Sequence, residues 1–216
     1  MKKTIFLVTV MGLCHGALQA AQIIAVNFMR NATTTPAAND GSEFGINSWV
    51  DVESGDGGIN TDGVTMSWGG GAWNGGSANN IENGYIDNAT AIDIFGLSGW
   101  LTANSATSYT VQLVQASDTS TNWFGDSLIS DSNGGTLLDT LTNSNYRQGA
   151  TSVSMQLSSD TLYVDPTTGG TEPGSMTGAA ARTNVAGIII TAVPEPSSAL
   201  MGALGAGLML LSRRRK

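Results

Sequence analysis

Residues 109–114 read Tyr-Thr-Val-Gln-Leu-Val, and this stretch decides the fold class. Tyr109, Val111 and Leu113 alternate with Thr110 and Gln112, a period of two that puts the apolar set on one face of a β-strand. Working outward, residues 151–157 repeat the pattern, with Val153, Met155 and Leu157 against Ser152, Ser154 and Gln156. An apolar run at 23–29 opens the same region, and a second at 185–192, containing Ile188, Ile189 and Ile190, closes it. Shorter candidates lie at 46–52, 64–68, 91–97, 136–141 and 161–164, separated by clusters of Gly, Asn, Asp and Ser. Such clusters punctuate strands. No segment carries a convincing amphipathic helix longer than a turn or two, and the only Ala cluster, at 179–182, is short. The expected fold is therefore all-β: one antiparallel β-sandwich over residues 22–193, jelly-roll-like in its wiring.

Composition narrows the chemistry of that domain. The chain has 216 residues with nine Lys and Arg, one Cys and one His. Most of the basic residues lie at the ends: Lys2, Lys3, Arg213, Arg214, Arg215 and Lys216. Cys14 and His15 are also terminal. Between 22 and 193 only Arg30, Arg147 and Arg182 oppose sixteen Asp and Glu, a formal charge of −13. A region without His, Cys or Lys holds no Ser-His-Asp triad, Cys nucleophile, disulfide, ordinary zinc site, P-loop or Schiff base. Its acidity repels phosphate backbones, so nucleic acid is not an expected partner.

The two ends read as addresses. Residues 1–21 have the form of a secretory signal peptide: Lys2 and Lys3, an apolar stretch at 5–13, then the small residues Ala20 and Ala21. Signal peptidase and the general secretion machinery are the expected partners there. At the other end, Pro194, Glu195 and Pro196 precede an apolar segment at 199–211 and a basic tail at 213–216. The two prolines fix φ and hold an extended segment that neither a helix nor a central strand accepts. A helix over 197–212 would span about 24 Å, short of a hydrocarbon core of about 30 Å. That makes it a short transmembrane anchor whose terminal arginines snorkel and stay cytoplasmic.

This three-part tail, 194–216, resembles the PEP-CTERM protein-sorting signal. The resemblance maps Pro194, Glu195 and Pro196 onto the family's Pro-Glu-Pro box and Arg213, Arg214 and Arg215 onto its basic cluster. It implies processing by exosortase, a membrane protease-transpeptidase, in a Gram-negative bacterium that makes exopolysaccharide. The implied route is a transient inner-membrane anchor, then release or attachment at the cell surface or in the extracellular biofilm matrix. The resemblance concerns sorting only, and fold alone does not assign a function to the exported domain.

Inside that domain three constellations invite a chemical reading. The Gly-rich stretch 55–76 contains Gly57-Gly-Ile-Asn-Thr-Asp62, which resembles a single copy of a calcium-binding nonapeptide with Asn60 in place of a Gly. Such repeats share ligands between stacked turns and work in several copies. Asp51, Glu53, Asp56 and Asp62 are still candidate ligands for Ca²⁺, a hard cation that takes six to eight oxygens. No other cofactor is expected. Second, Trp68 and Trp73 flank a run of three Gly with Asn74 beside them, a candidate carbohydrate-binding loop in which indole faces stack on sugar rings. Third, Asp51 and Glu53 stand two apart on an expected strand, projecting from one face about 6.5–7 Å apart. That spacing is permissible for the carboxylate pair of a glycoside hydrolase but specific to nothing. The leading expectation is a non-enzymatic, exosortase-sorted surface or matrix protein associated with exopolysaccharide. A carbohydrate-binding module for extracellular polysaccharide is second, and a carboxylate-only hydrolase or lyase third.

Overall fold

The computed structural model describes residues 22–30, 43–46, 48–53, 55–69, 72–74, 81, 84–86, 90–115, 126–142, 149–166 and 184–195. The chain divides into a compact unit, Gln22–Val193, and a second unit formed by Met1–Ala21 with Pro194–Lys216. The expected signal peptide and the expected helix at 199–211 lie outside the described residues. Among the described residues no helix is long and apolar enough to cross a membrane.

Among the described residues thirteen strands build two sheets. In chain order they are β1 (Ile23–Met29), β2 (Val50–Glu53), β3 (Gly58–Thr61), β4 (Val64–Trp68), β5 (Ala72–Asn74), β6 (Gly84–Ile86) and β7 (Ile92–Phe95), then β8 (Ala106–Gln115), β9 (Ser127–Ser130), β10 (Leu137–Leu141), β11 (Gly149–Ala150), β12 (Thr161–Asp165) and β13 (Val185–Pro194). Sheet 1 runs β11-β8-β13-β1-β2, with β6 pairing to β13 and β5 to β6. Sheet 2 runs β10-β9-β12-β7-β4-β3. The first and last strands of the domain pair antiparallel, Ile23 opposite Thr191 and Asn27 opposite Gly187.

One pairing departs from the expected antiparallel sandwich. β1 and β2 run parallel, with Val26 opposite Val50 and Met29 opposite Glu53. Parallel neighbours need a crossover of about a dozen residues or more, and the stretch between Met29 and Val50 is long enough.

The apolar alternation closes the core between the sheets. Ile24, Val26 and Phe28 of β1, with Ile188, Ile190 and Ala192 of β13, meet Val64, Met66 and Trp68 of β4, Ile92 and Ile94 of β7, and Leu162 and Val164 of β12. Phe28 and Trp68 join the two layers edge to face, ring centroids 4.9 Å apart. Sheet 1 is also covered on its outer side. There Ala25, Val114, Ala186 and Ile189 pack with Ile46, Ile81, Tyr85 and Trp49. Gly187 makes room for that cover, since a Cβ there would sit 3.2 Å from the Trp49 ring and 3.1 Å from Ile81. Val185 and Ile188 both face the main core, so the alternation of β13 changes phase across Gly187.

Two segments differ from the sequence reading. Residues 97–103 form a short helix, α1 (Leu97–Ala103), with Leu97, Trp100 and Leu101 buried. Gly96 enters it with φ of 87° and provides no side-chain cap; Asp160 supplies one from afar, accepting from the Ser98 N–H at 2.8 Å. The helix is too short for its i, i+3, i+4 apolar spacing to stand out from the strand pattern.

The segment 151–157 is not the alternating strand its sequence suggests. Backbone N–H groups of Thr151, Ser154 and Leu157 donate to the carbonyls of Leu113, Val111 and Tyr109, three residues of this segment for every two of β8. The Ser154 hydroxyl accepts from the Val111 N–H at 2.8 Å, and the Thr151 hydroxyl from the Leu113 N–H at 2.9 Å. Side-chain oxygens thus take places in the ladder. Thr151, Ser154 and Leu157 are buried, while Val153 and Met155, expected inside, are exposed.

Candidate functional site

The expected calcium ligands do not gather. Among the described residues no three His, Cys, Asp or Glu side chains form a group able to hold a metal ion. The reason lies in the strands. Asp62 and Gly63, with φ of 51° and 80°, form the two-residue turn joining β3 to β4, the left-handed pair that a tight hairpin requires. Asp51 and Glu53 sit instead on β2, the outer strand of sheet 1, and Asp56 lies in a turn where its N–H donates to the Glu53 carbonyl.

Asp51 and Glu53 do share one face, because Val52 between them turns into the core. Asp51 accepts from the Asn27 side-chain N–H at 2.9 Å, tying the two parallel strands together. Charged side chains on a sheet edge also deter pairing with another chain. This arrangement gives the pair a structural use.

The two Trp of the expected sugar-binding loop are separated. Trp68 ends β4 in sheet 2 and is buried in the core, 6% exposed, against Phe28. Trp73 and Asn74 belong to β5 in sheet 1, in register with Tyr85 and Gly84 of β6. Trp68 therefore cannot offer a ring face to a ligand while the sandwich is closed, since its indole fills space between the sheets. Trp100 is likewise core.

Among the described residues, an exposed aromatic, Phe95, lies on the outer face of sheet 2. Ile92 and Ile94 point inward, so Asp93 and Phe95 point out; Leu162 and Val164 point inward, so Thr161, Tyr163 and Asp165 point out. Cross-strand register puts Thr161 opposite Phe95 and Tyr163 opposite Asp93. On the far side of β7, Thr65 faces Phe95 and Ser67 faces Asp93, and Asn60 donates to the Thr65 hydroxyl at 2.7 Å. Phe95 is 44% exposed. Phe95 and Tyr163 are diagonal neighbours, roughly 7 Å apart at Cβ. Partial burial first, then the carboxylates of Asp165 and Asp93, push the Tyr163 hydroxyl above its ordinary range. The sequence does not single out this pair, because Phe95 and Tyr163 lie in separate short strand candidates, 91–97 and 161–164, whose pairing only the fold brings about.

Chemically, such a face can stack flat rings and hydrogen-bond the groups around them. Three other carboxylates are committed to backbone: Asp131 accepts from the Thr136 N–H, Asp139 from the Met155 N–H and Asp160 from the Ser98 N–H.

Of the sorting box, Pro194 is the last residue of β13 and Glu195 is exposed. Pro196 and the basic residues Arg213, Arg214 and Arg215 lie outside the described residues. No curated protein and no solved structure matches the chain significantly. Residues 192–216 match the family model of the PEP-CTERM protein-sorting motif, so this chain carries a signal that directs export and sorting to the cell surface.

Proposed function

We propose that the chain is an exosortase-sorted protein of the cell surface or extracellular matrix, whose sandwich acts without catalysis and in association with exopolysaccharide. The observation that carries this reading is the sorting-motif match at 192–216. In it, the signal peptide at 1–21 is removed on export, the segment 199–211 anchors the chain briefly in the inner membrane, and exosortase then acts at the box. The non-catalytic part rests on the absence of His, Lys and Cys between 22 and 193. Strand order favours the jelly-roll form of sandwich: β1, β7, β8, β9, β10, β11, β12 and β13 divide between the sheets as β1-β13-β8-β11 and β7-β12-β9-β10, the wiring of that fold. β2 extends the edge beside β1, and β4 and β3 the edge beside β7, while β6 pairs to β13 and β5 to β6. Replacing Glu195 by Ala, or deleting 213–216, should leave the protein unprocessed and held in the membrane fraction. Wild-type mobility and location for both variants would refute the sorting route.

A carbohydrate-binding module is the second reading. It is favoured by the exposed Phe95 and the half-buried Tyr163, which share the outward face of sheet 2 and take the place expected of Trp68 as the stacking platform.

A further inference from the structure

We infer that sheet 1 restrains the sorting box, and that exosortase acts on it after the end of β13 has come away from β1. This rests on the sorting route proposed above and adds a conformational gate to it. The motif match begins at Ala192, whereas β13 runs on to Pro194, so residues 192–194 belong to the sheet and to the signal at once. β13 lies between β8 and β1. Its closing rungs are made with the first residues of the domain. Ile23 stands opposite Thr191, and the Ala192 N–H donates to the Gln22 carbonyl at 2.9 Å. The Ala192 side chain is part of the main core, 2% exposed. Pro194 has no N–H with which to continue the ladder, and Glu195 beyond it is exposed.

Sheet and enzyme compete for the same backbone. Extended peptides are recognised through their main-chain N–H and C=O groups, and proteolysis of a folded chain proceeds from its locally opened form. In the closed sheet the Ala192 N–H is engaged and its methyl group buried, so reading the signal from its first matched residue requires displacing β1. Strand ends open at the least cost. The gate therefore involves only the rungs from Thr191 onward and leaves Ile188 and Ile190 in the core. Chain order sets its timing. Among the described strands β1 is the first and β13 the last, so a chain exported N-terminus first pairs them only after everything between has crossed. The box is open to exosortase during export and becomes restrained as the fold completes.

The test mixes the purified, folded full chain in mild detergent with membranes that contain an exosortase and follows processing by gel mobility. Ile23→Cys with Thr191→Cys puts thiols at directly opposite positions of the antiparallel pair. Because Gln22 and Ala192 form the hydrogen-bonded pair beside them, these positions are of the closer, non-hydrogen-bonded kind, within reach of a disulfide. Cys14→Ser in the same chain removes its own thiol. When oxidised, this stapled chain should be processed about tenfold more slowly than wild type, and a reductant should restore the rate. In a second variant a Gly-Ser spacer of about eight residues, ending in a second Ala-Val, is inserted between Val193 and Pro194, which keeps the matched signal whole and frees it from the sheet. Its processing should be about tenfold faster than wild type, and the staple should no longer slow it. A stapled chain, or a spaced one, that is processed at the wild-type rate would overturn the gate and leave the sorting route standing. A spaced chain still slowed by the staple would place the effect away from the box and overturn the gate as well. Failure of the membranes to process wild type and spaced chain alike would remove the sorting route, and this inference with it.

Discussion

The two sheets use the same residue types under different conditions. Sheet 1 is covered on both sides: six of the seven residues of β1 are buried, and β13 is buried continuously from Val185 to Ile190. Among the described residues sheet 2 is packed on one side, and β4, β7, β9 and β12 alternate between buried and partly exposed positions. Continuous apolar runs and alternating ones are the two signatures expected of strands enclosed on both faces and strands with one face in water. Among the described residues, the outer face of sheet 1 packs against Ile46, Trp49 and Ile81, whereas that of sheet 2 presents the exposed Phe95.

The largest expected effect breaks the comparison at the seam between the sheets. Trp68→Ala empties a buried site against Phe28 and should cost about 3–5 kcal/mol in urea unfolding. A loss below about 1 kcal/mol would show that the indole is not core filler, and would reopen its use as a ligand platform.

Next comes the cover of sheet 1. A Cβ at Gly84 would lie 2.5 Å from the Phe28 carbonyl oxygen and 2.6 Å from the Met29 Cα, both backbone atoms that cannot rotate away. Gly84→Ala should destabilise by about 1–3 kcal/mol in a thermal or chemical melt. The same exchange at Gly99, where a Cβ meets nothing within 4 Å, serves as a control inside α1 and should be neutral or stabilising.

Tyr109 sharpens the comparison by pH. Its hydroxyl donates to the Ser159 carbonyl at 2.8 Å, and burial, then the nearby Asp160, raises its pKa far above the usual value. The folded state therefore keeps its proton where the unfolded chain has lost it. This contribution is complete below the unfolded tyrosine pKa of about 10 and is lost as pH climbs above it. Tyr109→Phe should cost about 1 kcal/mol at neutral pH and flatten the fall in melting temperature above about pH 10. A variant that follows the wild-type curve in alkali would show that another group controls that limb.

The smallest effect belongs to the open face. Phe95→Ser exchanges an exposed ring on sheet 2 and should change stability by less than about 0.5 kcal/mol. A cost of several times that would mean the ring is held by packing rather than presented to solvent.

The fold class was legible because periodicity is a local property. The alternation at 109–114 and the apolar runs at 23–29 and 185–192 became β8, β1 and β13. The segment 151–157 was misread because Ser and Thr hydroxyls can substitute for backbone groups in a ladder, and a polar residue then goes inside. Strands β3, β5, β6 and β9 passed unnoticed, being three or four residues long, too short for a period of two to register. The candidate site suffered in the same way. Gly-rich spacing suggested that Trp68 and Trp73 acted together, but the chain changes sheets between them.

By itself the sequence determined the sorting tail and the strand-forming pattern, together with the exclusion of His-, Cys- and Lys-dependent chemistry from 22–193. These depend on residues adjacent along the chain or on plain composition. Only the tertiary structure decided that Trp68 is core, that Asp62 serves a hairpin, and that Phe95 and Tyr163 share the outward face of sheet 2. The physical reason is that alternation tells which side chains share a face of a strand but not what lies over that face. Cover is supplied by residues distant in sequence, as Trp49 and Ile81 cover Gly187, and burial depends on where those residues arrive.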